Sequence, residues 1–102
     1  MKVISINTDG GSRGNPGLAG IGIVVRDGEK LIIELKEKIG ETTNNVAEYM
    51  AVIKALEWLK ENVNQLNPDR VNFNLDSLLI VNQIIGSFKI KQDHLKELNT
   101  II

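Results

Sequence analysis

Residues 9–22 read DGGSRGNPGLAGIG, with six glycines and one proline in fourteen positions. The run follows Val3, Ile4 and Ile6, a β-branched stretch that predicts a strand ending at Asp9. Glycine and proline account for a tight turn. They do not account for a carboxylate at a strand end, so partners for Asp9 must be sought further along. After the turn, Ile21, Ile23, Val24 and Val25 predict a second strand, in which Gly20 and Gly22 would let another backbone come close. Asp27-Gly28 is a hairpin signal. Leu31, Ile33 and Leu35 open a third strand running to about Ile39, so the chain begins as a three-stranded antiparallel meander.

Beyond Gly40 the pattern changes. Thr43, Asn44 and Asn45 are candidate N-caps, and residues 46–62 have helical character. Residues 63–69 form a loop around Pro68. Val71, Phe73 and Leu75 alternate with Asn72 and Asn74 as a fourth strand, closed by Asp76. A second helix is expected over Ser77–Ile85, capped by Gly86. Lys89 and Lys91 follow in a connection, and residues 93–102 begin a third helix. This order predicts one α/β domain with a mixed sheet over residues 1–102.

Composition narrows the chemistry. The 102 residues carry a formal net charge of −1, so any basic surface is local. There are no cysteines, which excludes disulfides and thiolate metal sites. A single histidine excludes a multi-histidine zinc site within one chain. A divalent ion would be held by carboxylates, which favours Mg²⁺ or Mn²⁺. No apolar run approaches ~18 residues, so no membrane span is expected. The N-terminus has no cleavage-site pattern, and a cytoplasmic location is the default expectation.

Three of the acids stand out: Asp9, Glu48 and Asp76. At about 100° per residue, Lys54, Glu57 and Glu61 share one stripe of the first helix, while Tyr49, Val52, Ile53, Ala55, Leu56 and Leu59 centre on the opposite face. Glu48 lies roughly 60° from the centre of that apolar face. A carboxylate aimed toward a core needs a partner, a proton or a metal. A glutamate in a first turn also favours the helix dipole, and Asp76 is well placed to cap the helix after it. If the first and fourth strands are neighbours, both aspartates emerge at one end of the sheet, within reach of Glu48. Three carboxylates without basic partners repel one another, and a divalent cation is the natural counter-charge.

The blocks DGGSRGNPGLAG, TTNNVAEYMAVIKALE and DSLLIVNQIIGSFKIK closely resemble the three successive motifs of type 1 ribonuclease H, in order and spacing, over nearly the whole chain. The resemblance implies a five-stranded mixed sheet, three antiparallel strands and then parallel ones, flanked by helices. It implies hydrolysis of the RNA strand of an RNA–DNA hybrid. Family catalysis uses four acids and two Mg²⁺ ions. Asp9, Glu48 and Asp76 match the first three acids, as catalytic residues and metal ligands. Substrate contacts of the family map onto Asn15, Thr43, Asn44 and Asn45, and Lys89 and Lys91 match a basic segment that contacts the backbone. Amides of this kind can hydrogen-bond to 2′-hydroxyls and base edges in the wide minor groove of a hybrid.

The sequence departs from the family pattern in three ways. The fourth acid and the histidine proposed to assist product release belong to a segment beyond residue 102, and His94 is read as a surface residue. The family's last strand and last helix are therefore expected to be missing. Leu78 stands where the family commonly has a glutamine, and cannot make that hydrogen bond. No extended basic handle separates Gly86 from Asp93. An uncovered fourth-strand edge would invite pairing, so the chain is expected either to form a homodimer through it or to be a shortened form of a longer enzyme. The leading reading is a metal-dependent nuclease acting on hybrids, impaired by the missing acid. The alternative is a non-catalytic module of the same fold that binds hybrid or RNA. A scaffold using the sheet edge is the third, and three converging acids argue against it.

Overall fold

The computed structural model describes residues 2–75 and 98–101. Asp76, Leu78, Lys89, Lys91, His94 and the helix expected over Ser77–Ile85 lie outside them. In chain order the elements are β1 (Val3–Ser12), β2 (Gly17–Asp27), β3 (Lys30–Thr42), α1 (Asn44–Leu66), β4 (Arg70–Asn74) and β5 (Leu98–Ile101). They form one mixed sheet in the order β3-β2-β1-β4-β5. The β1–β2 and β2–β3 pairs are antiparallel, and the β1–β4 and β4–β5 pairs are parallel.

The meander forms as expected, with longer strands. Gly28 takes φ 61° at the first position of the two-residue β2–β3 turn, where a left-handed conformation matches the strand twist. β1 does not stop at Asp9. It continues through Gly10 and Gly11 to Ser12, paired with β2 as far as Ala19. The turn proper is only residues 13–16, because the first two glycines are held by ladder bonds. Gly20 and Gly22 are not sites of unusual approach. A Cβ there would sit 3.4 and 4.0 Å from its nearest neighbour, ordinary contact distances.

α1 is longer than the expected 46–62. The apolar spacing continues through Val63 to Leu66, and Asn67 ends the helix in a left-handed conformation (φ 46°), its N–H donating to the Val63 carbonyl at 2.8 Å. The buried face is centred differently from the sequence expectation. Ala47, Ala51 and Ala55 are fully buried beside Leu59, whereas Tyr49 is 40% exposed. Small residues let the helix lie close to the sheet, and a hydropathy pattern underweights them.

Alternation places Ile4 and Ile6 of β1, Ile23 and Val25 of β2, and Val71 and Phe73 of β4 on the face that meets α1. Val52, Leu56, Leu59 and Val63 fill the other side of this core. The opposite face of β1 and β4 is polar: Ser5, Asn7, Asp9, Asn72 and Asn74. At the start of the parallel pair, Lys2 N–H donates to Asp69 Oδ2 at 2.8 Å, and Asp69 N–H donates to the Lys2 carbonyl at 2.9 Å.

The end of the chain corrects an expectation. Leu98–Ile101 is not helical but a strand parallel to β4, from Val71↔Leu98 to Asn74↔Ile101. Thr100 and Ile101 are β-branched and favour this state, and the pairing occupies the outer edge of β4. The sheet therefore has a fifth strand, where a missing last strand was expected. The edge proposed for homodimerisation is covered over residues 71–74. Among the described residues no helix is long and apolar enough to cross a membrane. Phe73 is fully buried at the centre of the core. Phe73→Ala should lower unfolding free energy by ~3–5 kcal/mol, read as a lower urea midpoint at unchanged m-value.

Candidate active site

The site is built around a missing side chain. Gly10 lies on the α1 face of β1, and a Cβ there would collide with the carbonyl carbon and oxygen of Ala47 and lie 2.6 Å from Glu48 N. Only glycine lets β1 and the helix backbone approach this closely. The contact seats the Glu48 backbone against the strand residue that follows Asp9. Asp9 is exposed and Glu48 partly buried. Because α1 begins at Asn44, no acid occupies its first turn. The helix-dipole explanation of Glu48 therefore loses its footing.

Asp9 sits where the sheet changes character. β1 carries an antiparallel neighbour on one side and a parallel one on the other. Among the described residues the β1–β4 ladder runs to Asn7↔Asn74, and β1 continues past Asp9 to Ser12. The carboxyl end of a strand at such a switch is where α/β sheets bind ligands. On the sheet face opposite α1, Asp9 borders a shallow groove of about 450 Å³ with Gly20, Gly22, Lys36 and Lys38.

The turn and the helix start are fastened together. Thr43 is the N-cap, its Oγ1 accepting from Val46 N–H at 3.3 Å. Asn44 Oδ1 accepts from Ser12 N–H at 2.7 Å and from Ser12 Oγ at 3.1 Å. Asn44 N–H donates to Asn15 Oδ1 at 3.2 Å. The Gly14 carbonyl also faces Ser12 Oγ, whose single proton is shared between it and Asn44 Oδ1, and the Asn15–Pro16 peptide is cis. Gly17 lies against the turn, where a Cβ would be 2.9 Å from the Arg13 carbonyl. In both Asn15 and Asn44 the side-chain carbonyl is spent within the protein. Their Nδ2 donors have no partner among the described residues and remain for an external acceptor.

Of the residues expected at a site, the structure places Asp9 near the carboxyl end of β1 and the Glu48 backbone against its neighbour Gly10, and gathers Asn15, Thr43 and Asn44 at the turn. Asn45 is exposed one residue further on. Asp76, Lys89 and Lys91 lie outside the described residues, and no cluster of three metal-ligating side chains occurs within them. Sequence reasoning missed Ser12, whose hydroxyl and N–H both meet Asn44. It also missed Asn7 and Asn74, bonded to each other at 2.6 Å. An amide on each of two strands, two residues before an acid, was the available signal.

A mixed sheet with an acid on its central strand, a second acid on the helix crossing that strand, and a polar turn between them defines a protein of the ribonuclease H-like fold. The chain belongs to the RNase H family, whose model matches residues 1–100. It is 43% identical over 100 residues to a bifunctional protein of Mycobacterium tuberculosis, covering 96% of this chain and 26% of that one. It is 44% identical over 87 residues to the ribonuclease H of Novosphingobium aromaticivorans, covering 82% of this chain and 54% of that one. The chain thus spans about a quarter to a half of these relatives. An RNase H1 isolated from compost by a metagenomic approach superposes with TM-score 0.80 at 39% identity, over 100% of this chain and 85% of that one. The same enzyme in complex with an RNA/DNA hybrid gives 0.72 at 41% identity, over 96% and 83%.

Gly10→Ala should cost ~3 kcal/mol or more in chemical denaturation, because the added methyl meets backbone that cannot rotate away. Gly11→Ala, whose Cβ would sit 3.7 Å from Asn44 Oδ1, should stay within about 0.5 kcal/mol of the parent. Equal losses at both positions would refute the close-contact reading.

Proposed function

We propose that this chain is a divalent-metal-dependent ribonuclease that hydrolyses the RNA strand of RNA–DNA hybrids. The observation that carries the reading is the Gly10 contact, which puts Glu48 beside the strand that bears Asp9. The resemblance of the DSLLIVNQIIGSFKIK block to the family's third motif supports Asp76 as the third acid.

The donor set is chemically consistent with a hard ion: carboxylate oxygens, with no cysteine in the chain. Asp9, Glu48 and Asp76 would hold Mg²⁺, with Mn²⁺ as a substitute. When bound, such an ion supplies the counter-charge and Lewis acidity that hydrolysis of a phosphodiester requires. The protein's own share is geometric. β1 is rigid, bonded to β2 through Ser12, and holds the Asp9 carboxylate in place. The long helix does the same for Glu48. The Nδ2 donors of Asn15 and Asn44 are set to meet minor-groove acceptors and 2′-hydroxyls, which separate RNA from DNA. Asn45, Lys89 and Lys91 complete the proposed substrate contacts. The hybrid in complex with the compost RNase H1 supports the same class of substrate.

The test is cleavage of an end-labelled RNA–DNA hybrid in Mg²⁺ and in Mn²⁺, beside Asp9→Asn. Metal-dependent cleavage is expected, with a loss of at least ~100-fold in the variant. Hybrid retained on the protein without cleavage in either metal would replace the enzyme by the non-catalytic binding module. No binding and no cleavage would defeat both.

A further inference from the structure

The Asn7–Asn74 pair has no part in the core and none in the contacts assigned to substrate. Both side chains lie on the sheet face opposite α1, since Ile6 and Phe73, their sequence neighbours, are fully buried on the other face. Asn74 Nδ2 donates to Asn7 Oδ1 at 2.6 Å. The two residues are the last recorded rung of the β1–β4 ladder. The first rung is already secured by Lys2 and Asp69. The asparagine bond therefore clasps the two parallel strands two residues short of Asp9. Two residues past it, on the same face, β1 presents Asp9.

A backbone ladder fixes register, and a side-chain bond across the two strands adds a second restraint on their separation. A carboxylate two residues beyond that bond inherits any change in strand separation. Metal affinity is sensitive to ligand placement, and residues that orient ligands without touching the ion contribute measurably to it. A neutral amide pair suits this place. It bonds across the strands without adding a like charge beside the acids, which a carboxylate would, and without a cation to neutralise them.

We propose that Asn7 and Asn74 are positioning residues for divalent-cation binding: their mutual hydrogen bond holds the Asp9 end of β1 at a fixed distance from the end of β4. The inference rests on the metal-site reading above, and the experiment separates the two.

Mn²⁺ binding to the full chain is measured by titration calorimetry, without nucleic acid, for the parent, Asn7→Leu, Asn74→Leu and the double variant. Urea unfolding of each is followed in parallel. Leucine keeps the approximate size and removes the bond. Each single variant should bind Mn²⁺ about three- to tenfold more weakly, the equivalent of one lost hydrogen bond. The double variant should be no weaker than either single one, since the bond can be lost only once. Urea midpoints should barely move, because the pair is exposed. Losses that multiply in the double variant would overturn the proposal, as would unchanged Mn²⁺ affinity in the singles. A fall in unfolding midpoint with unaltered binding would make the pair an ordinary sheet contact and overturn it equally. A parent chain that does not bind Mn²⁺ would instead defeat the metal site itself, and the inference with it.

Discussion

The structure depends on one backbone-to-backbone contact, where β1 meets the first turns of α1 at Gly10. Sheet and helix are each ordinary, and either could pack at several heights and tilts. The absence of a side chain at Gly10 fixes the nearest approach, and the alanines at 47, 51 and 55 carry that closeness along the helix. Once the helix lies this low, its start falls at the turn after β1. Asn44 can then reach Ser12, and the Glu48 backbone lies against the residue that follows Asp9. Packing and site geometry are thus set by the same contact, and a change that lifts the helix would disturb both.

Much of this was legible in the sequence. The strand–turn–strand opening, the Asp27-Gly28 hairpin, the N-cap cluster before the helix and the alternation around Phe73 are local signals with local causes, and all are present. The family motifs sit in those same segments, so Asp9 and Glu48 could be singled out before any contact was known. The errors have physical reasons. β1 outran Asp9 because Gly10 and Gly11 are held by pairing with β2, and glycine propensity predicts only what an unpaired chain would do. The helix outran residue 62 because Val63 and Leu66 gain by burial. Residues 98–101 became a strand because β4 offered an edge, and the β-branched Thr100 and Ile101 were the local signal for it. The bonds of Ser12 and of the asparagine pair join residues 32 and 67 positions apart. Such distances leave no periodic trace.

The chain belongs to the RNase H family over residues 1–100. The relatives also show that this unit occurs within longer proteins, one of them bifunctional. A unit whose core is closed by α1 against the sheet is suited to that use, since its central packing does not wait for another domain.

The tether between the turn and the helix has a thermodynamic consequence. Residues 13–16 would be a floppy four-residue loop if they were held only at their ends. Bonds from Ser12 and Asn15 to Asn44 instead order them during folding, when the loss of chain entropy is met by the whole domain. A ligand bound at Asn15 and Asn44, as proposed, would find the donors already oriented, and little of its binding free energy would be consumed in arranging them. Such a preset corner would favour discrimination by shape over adaptation to whatever arrives.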